Sequence, residues 1–259
     1  MIKYELRRAF SYKFWITVVF GVLCGIGGIV SYSMDTKWNE PAAISAYEAF
    51  LYCLALSEAS FYRALFPILI CISYLPTMFS ERKSTFIYSV TTRASVYKYL
   101  TIKIGVGVLS ACVVIACCII SWFALCLLIF PSNIADTIVS YSPTGAFSYY
   151  YPYHPFKYIG ILFMLNVITA AVFYLLLAAT SFIAKKKRQV ITIPFAIYMF
   201  CVLISQFNFF SNIDPIPLFV PFQRNYSSIS TISLGWGIIL ITSCLLLFFC
   251  FRRDKKEIL

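Results

Sequence analysis

The residues of this chain that could carry out catalysis are few and widely separated. The single histidine, His154, lies in a run of aromatic residues rather than beside acidic residues or cysteines. One histidine cannot supply the usual His, Cys and carboxylate set of a zinc site, or both axial ligands of a bis-histidine haem. The sequence also lacks a Gly-x-Ser-x-Gly nucleophile motif and a phosphate-binding loop ending in Lys-Ser or Lys-Thr. We therefore predict no catalytic residue, no metal site and no cofactor bound by this chain, and expect it not to be an enzyme.

The 10 cysteines favour packing over disulfide chemistry. All except Cys53 fall in long apolar stretches, so Cys53 is the one that we expect to be exposed outside the membrane. A single exposed thiol cannot form a disulfide within the chain. We interpret the cysteines as small buried hydrophobic residues.

The segment 80–103 has the most informative pattern of polar, basic and apolar residues. Phe86, Ile87 and Val90 form an apolar stripe at helical spacing, with basic residues around it. A short amphipathic helix of this kind can place its apolar face in a groove of a partner protein. The alternative is a helix that lies in the lipid interface without a partner.

Long apolar stretches on both sides of this segment predict membrane-spanning helices. The chain has 259 residues, of which 61% are hydrophobic and only 12% charged, and its mean hydropathy is +0.84. A soluble domain averages about 25% charged residues, so this composition excludes an ordinary soluble globular protein. Because about 20 apolar residues cross a bilayer core, we predict six spans, over residues 14–34, 61–79, 104–130, 158–184, 190–210 and 229–251. Residues 1–259 then form one all-α polytopic membrane domain, whose second span is kinked by Pro67 and Pro76.

The basic residues predict the orientation of these spans. All of the 21 lysines and arginines except Lys37, Arg63, Lys157 and Arg224 fall in the terminal segments and in the loops after the second and fourth spans. Lysine and arginine are enriched in cytoplasmic loops. We therefore expect a multi-pass protein of the plasma (cytoplasmic) membrane with both termini in the cytoplasm. The net charge of +11 is then a signal of topology, and we expect no nucleic-acid partner.

The first 13 residues predict a helix that lies on the membrane surface. Apolar residues recur there at helical spacing, and Lys3, Arg7 and Arg8 could contact lipid headgroups. The alternative is a short basic tail. A second unusual segment is the aromatic run 147–156, which we interpret as part of an interfacial aromatic belt or, alternatively, as a lid over a solute path.

The segment 80–103 resembles the corresponding loop of a transporter family. Glu81 closes the second span, the turn Arg93-Ala-Ser95 follows, and Tyr99-x-x-x-Lys103 leads into the third span. This pattern is similar to that of the membrane subunit of ATP-binding-cassette exporters of the type-2 class. The resemblance covers the whole chain in topology, and it implies an amphipathic N-terminal connecting helix and a coupling helix over residues 83–92.

The resemblance also implies partners. A dimer of separate ATPase subunits would bind ATP and magnesium, and would drive two permease subunits, identical or different. The residues implied in coupling to the ATPase are Glu81, Arg82, Lys83, Phe86, Ile87, Val90 and Arg93. The family places the first span near the permease interface, and Gly21, Gly25 and Gly28 give that span a small-residue face suited to close helix packing or dimerisation.

The expected function is therefore that of the transmembrane subunit of an exporter for a hydrophobic or amphipathic solute, such as a peptide or a lipid-like compound. Asn166, Gln206 and Asn208 are candidates for the substrate path, and hydrogen bonds between helices are the alternative use of their amides. The alternative function is a non-transport immunity or sensor protein that binds an external peptide. A membrane enzyme of an unrecognised type is a third hypothesis.

Overall fold

Every regular element in the described part of the chain is a helix. The computed structural model describes residues 2–35, 45–57, 59–82, 96–132, 143–207, 214–223 and 227–258. The α-helices are α1 (Ile2–Ala9), α2 (Tyr12–Asp35), α3 (Ala46–Leu51), α4 (Tyr62–Ile72), α5 (Leu75–Arg82), α6 (Val96–Ile129), α7 (Tyr150–Tyr153), α8 (Pro155–Ile183), α9 (Gln189–Ile204) and α10 (Ile229–Ile258). A π-helical segment (Tyr52–Leu56) follows α3, and two 3₁₀ turns (Ile216–Leu218 and Pro221–Gln223) lie between α9 and α10.

Five of the helical stretches are long and apolar enough to cross a bilayer. They are Tyr12–Met34, Tyr62–Glu81, Tyr97–Ile129, Pro155–Ile183 and Ile229–Cys250. They coincide with the first four predicted spans and with the sixth. The prediction of an all-helical chain with several helices of membrane-crossing length and composition is therefore confirmed.

The predicted fifth span is shorter in the structure than in the sequence-based prediction. Helix α9 has 16 residues and ends at Ile204, whereas the apolar pattern predicted a span that continues to residue 210. At about 1.5 Å per residue it is about 24 Å long, less than the roughly 30 Å of a typical hydrocarbon core. Residues 208–210 lie outside the described ranges.

The second span is interrupted where its sequence predicts a kink. Helix α4 ends at Ile72 and α5 begins at Leu75, so that Ser73 and Tyr74 separate the two. Pro76 falls in the first turn of α5, where a missing backbone N–H leaves no helical hydrogen bond unmade. The break also orients Tyr74 towards α1.

Helix α6 is the central helix and makes its most extensive contacts with α8 and α2. Small residues on α2 allow the close approach, because Gly21 faces the Cys118 thiol and Gly25 faces the Trp122 ring. The indole Nε1 of Trp122 donates a hydrogen bond to the Val22 carbonyl oxygen at 2.9 Å. The close helix contact that the glycine spacing predicts is thus made within the chain.

The described part of the segment between α2 and α4, residues 45–57 and 59–61, enters the bundle instead of remaining outside it. The Phe61 backbone N–H donates to the carbonyl oxygen of Cys24, near the middle of α2, at 3.2 Å. Gly28 lies against the backbone of Tyr52 and Cys53. Cys53 is fully buried, and its sulfur lies 3.8 Å from that of Cys126 on α6. The expectation that Cys53 is exposed outside the membrane is therefore wrong, because α3 and the π-helical segment pack between α2 and α6.

Residues 214–223, which lie between α9 and α10, enter the same bundle from another side. Phe219, fully buried, stacks on Phe66 of α4 with ring centroids 4.3 Å apart. The carbonyl oxygens of Leu218 and Phe219 accept hydrogen bonds from Thr169 and Asn166, both near the middle of α8, at 2.9 Å each. Irregular backbone within a membrane-spanning bundle requires such partners from the protein.

Candidate functional site

Charged and phenolic side chains from four parts of the fold meet at the end of the bundle where α1 lies. This charge cluster consists of Glu5 and Arg8 on α1, Tyr74 between α4 and α5, Glu81 on α5, and Tyr99 and Lys103 on α6. Two carboxylates face one ammonium and one guanidinium, so the formal charges balance. Buried charges are stable only when they are paired and hydrogen-bonded in this way.

Lys103 is the centre of the charge cluster. Its side chain is 1% exposed, its ammonium contacts Glu81, and its Nζ lies 3.5 Å from Oε2 of Glu5. The ammonium also lies 5.0 Å from the ring centroid of Tyr99, within the range of a cation–π interaction. Tyr99 and Lys103 are four residues apart and therefore occupy the same face of α6.

Glu81 occupies a position that would be unfavourable without these partners. It lies in the last turn of α5, where the negative end of the helix dipole disfavours a carboxylate. Lys103 and Arg8 both contact it, and the Tyr99 hydroxyl donates to its Oε2 at 3.0 Å. Two positive charges and one hydroxyl thus offset the helix dipole and the burial of this carboxylate.

Helix α1 is attached to the bundle through its acidic residue. Glu5 is 2% exposed, and its Oε2 accepts a 2.5 Å hydrogen bond from the Tyr74 hydroxyl. Arg8, three residues later and so on the same face, reaches across to Glu81. The helix predicted near the N-terminus is present, and its Arg8, expected to contact lipid headgroups, contacts a protein carboxylate.

The charge cluster joins the two ends of the segment 83–95. Glu81 lies two residues before this segment and Tyr99 four residues after it, and their side chains are hydrogen-bonded to each other. The contacts of Glu81 with Arg8 and Lys103 connect the same point to α1 and α6. The ends of α5 and α6 that flank the segment are therefore held to each other and to α1.

The structure brings together part of the sequence motif in segment 80–103. Glu81, Tyr99 and Lys103, which the resemblance selects, are direct neighbours, and Arg82 is the last residue of α5. Lys83, Phe86, Ile87, Val90, Arg93 and the predicted coupling helix over 83–92 lie outside the described residues.

Sequence reasoning missed the contributions of Glu5 and Tyr74 to this site. Glu5 is the one acidic residue among the basic ones of α1, and its distance of three residues from Arg8 was an available signal. Tyr74 had no comparable signal, because its direction depends on the break between α4 and α5.

The glycine face of α2 is covered by the chain itself. A methyl group at Gly25 would overlap the Trp122 ring, and one at Gly28 would approach the Tyr52 carbonyl oxygen to 2.5 Å. Gly21 is similarly covered by Cys118. These residues therefore serve helix packing within the chain.

The candidate substrate-path residues have different environments. Asn166 is fully buried, and its Oδ1 accepts a hydrogen bond from the Tyr62 hydroxyl at 2.7 Å. Its Nδ2 donates to the carbonyl oxygens of Leu162 and Phe219 at 2.8 and 2.9 Å. Gln206 is exposed and donates to the Val202 carbonyl oxygen at 3.3 Å. Asn208 lies outside the described residues. The two described amides share no hydrogen-bond partner.

Within the described ranges, no group of three or more His, Cys, Asp or Glu residues could hold a metal ion. His154 is exposed, at the C-terminal end of α7. The candidate functional features of the described structure are thus its apolar helices and its charge cluster. In comparisons with protein-family models, curated proteins and solved structures, the chain has no significant match.

Proposed function

We propose that the chain is the transmembrane subunit of an exporter driven by a separate ATP-binding-cassette ATPase, and that it moves a hydrophobic or amphipathic solute such as a peptide or a lipid-like compound. The observation that carries this proposal is the charge cluster at the base of segment 83–95. The same segment has the sequence pattern of a coupling helix, and the chain has no ATP-binding motif of its own.

In this proposal the chain crosses the plasma membrane six times, and both termini lie in the cytoplasm. The short helix α9 is then the fifth crossing, continued by the residues after Ile204. The distribution of basic residues supports this orientation, because α1 and the segment 80–103 together contain eight lysines and arginines. A second permease subunit and an ATPase dimer complete the proposed complex.

The charge cluster suggests how ATP hydrolysis would reach the membrane helices. An ATPase that holds residues 83–92 and moves on nucleotide binding would displace the ends of α5 and α6. Because Glu5 and Arg8 bind the same ions, α1 would follow, and α2 begins three residues after α1 ends. The helices at this end would therefore move as a unit.

Co-purification of the chain with an ATP-binding-cassette ATPase encoded beside it tests the proposal. We expect the double substitution Phe86→Asp and Ile87→Asp to abolish association with the ATPase. The matched control is Tyr153→Asp with Phe156→Asp, which likewise replaces two large apolar or aromatic residues by aspartate, but at exposed positions at the opposite end of the bundle. Retention of the ATPase by the first variant would contradict the coupling role.

The aromatic segment supports the alternative of an immunity or sensor protein. Tyr149, Tyr153 and Phe156 are 74%, 68% and 68% exposed and lie near one another around α7. Such exposed rings could bind a peptide. ATP-dependent efflux from vesicles that contain the chain and the ATPase separates the two functions, because a binding protein alone would give none.

A further inference from the structure

A cavity of about 500 Å³ lies between α4, α8, α9, α10 and the segment that begins at Asp214. Its volume falls within the roughly 300–1,000 Å³ of typical ligand sites. The part of its wall on α8 extends from Phe173 to Thr180, about 10 Å along the helix axis. Leu218 and its neighbours Pro215 and Pro217 also line the cavity.

The mouth of the cavity opens sideways from the bundle. Ile197 on α9 and Leu234 and Ile238 on α10 line the cavity, yet their side chains are 46%, 65% and 61% exposed. In the part of the chain that the structure describes, α9 and α10 each pack against α8 without an extensive contact with each other. The gap between them lies along apolar helices, where a spanning bundle faces hydrocarbon.

The polar side chains among the described lining residues leave few hydrogen-bond donors for a ligand. The hydroxyls of Thr180, Tyr198, Ser227 and Thr231 donate to the carbonyl oxygens of Leu177, Arg63, Pro221 and Ser228 at 2.9, 2.6, 2.5 and 2.8 Å. Asp214 is the one charged residue among the described lining residues, and it accepts the Ile216 N–H at 3.0 Å. An anionic ligand group, or one that accepts strong hydrogen bonds, would therefore find few donors inside the cavity.

We propose that this cavity binds an acyl chain of a membrane lipid, which enters sideways between α9 and α10 while the headgroup stays outside. The volume, the apolar lining, the committed hydroxyls and the lateral mouth all fit a hydrocarbon chain. Lipid tails are also the molecules at highest concentration at that mouth. The site does not depend on the proposed transport function, because it requires neither an ATPase nor a second subunit.

Photolabelling of the purified chain in phosphatidylcholine vesicles tests this site. The probe is a phosphatidylcholine that carries a diazirine in one acyl chain, and the labelled residues are identified by peptide mapping. We expect label on Leu177 and Leu218, which line the cavity but are only 2% and 6% exposed to the outside. Label restricted to outward-facing residues would overturn the proposal.

Matched tryptophan substitutions on α10 sharpen this test. Ile238→Trp at the mouth is expected to reduce the label on Leu177 severalfold. Ile241→Trp is the control, because Ile241 is 63% exposed on the same helix but does not line the cavity. Ile197→Trp, on the opposite rim, repeats the test should Ile238→Trp fail to fold. Equal labelling of Leu177 in the mouth variants and in the control would overturn the proposal.

Discussion

Replacing Lys103 by methionine tests whether the charge cluster holds the α1 end of the bundle together. Methionine keeps an unbranched apolar side chain but removes the ammonium, which contacts Glu81 and lies 3.5 Å from Glu5. Both carboxylates remain buried, with exposed fractions of 2% for Glu5 and 8% for Glu81. Arg8 is then the single cation of the cluster that faces them.

The expected loss of stability follows from this uncompensated charge. Removing one partner of a buried ion pair typically costs about 3–5 kcal/mol. For a protein of this size each kcal/mol corresponds to roughly 2–4 °C in melting temperature, so we expect Lys103→Met to lower it by about 6–20 °C. The double variant Glu5→Gln with Lys103→Met restores the charge balance between Arg8 and Glu81, and should recover most of that loss.

Thermal unfolding of the detergent-purified chain, followed by intrinsic fluorescence, measures these changes. Lys187→Met is the matched control, because Lys187 is exposed and surface substitutions usually change stability by less than about 0.5 kcal/mol. The reasoning is refuted if Lys103→Met and Lys187→Met have the same melting temperature. It is also refuted if the double variant is no more stable than Lys103→Met alone.

Three further predictions concern the interior of the bundle. Tyr62→Phe removes a hydroxyl that is hydrogen-bonded to Asn166 on α8, and should destabilise the protein by about 0.6 to 1.7 kcal/mol. Tyr174→Phe removes a buried hydroxyl that makes no hydrogen bond in the described structure, and should cause no loss of stability. Equal losses of stability in thermal unfolding would contradict this prediction. Gly25→Ala should destabilise the protein by about 1–3 kcal/mol, because the added methyl group overpacks against α6. Gly105 has open space around it, so Gly105→Ala should leave stability unchanged or raise it. A larger loss of stability in Gly105→Ala than in Gly25→Ala would be inconsistent with the contact between α2 and α6. A membrane-impermeant maleimide should leave Cys53 unmodified in intact cells, as its fully buried thiol requires, and rapid labelling detected by mass spectrometry would show that the segment lies outside the bundle.

The parts of the fold that sequence predicted best are those in which hydrophobic length alone decides the structure. Spans over 14–34, 104–130 and 158–184 correspond to α2, α6 and α8, because a long apolar helix satisfies its own backbone. The entry of α3 and of Phe219 into the bundle could not be predicted in this way. The Ala46 N–H at the start of α3 donates to the carbonyl oxygen of Pro131, and the Phe219 carbonyl oxygen accepts from Asn166. Both partners are distant in sequence from the groups they bind.

The charge cluster was predictable in part for a related reason. Glu81, Tyr99 and Lys103 flank one loop, so that a local motif selects all three. Glu5 reaches them from the other end of the sequence, and Tyr74 reaches Glu5 through a break whose geometry depends on packing. A pattern in one segment cannot specify a partner that only the assembled bundle supplies.

The depth at which α4 begins has a consequence for biogenesis. Tyr62 lies beside Trp122, with ring centroids 4.7 Å apart, and the preceding Phe61 N–H is bonded to the middle of α2. The Phe61 N–H would lack this partner if the segment entered a bilayer alone, and an unsatisfied backbone donor in hydrocarbon costs several kcal/mol. The helix that carries Trp122, α6, follows α4 in the sequence and is synthesised later. We therefore expect the start of α4 to reach its final position against α2 and α6 only after α6 has been inserted.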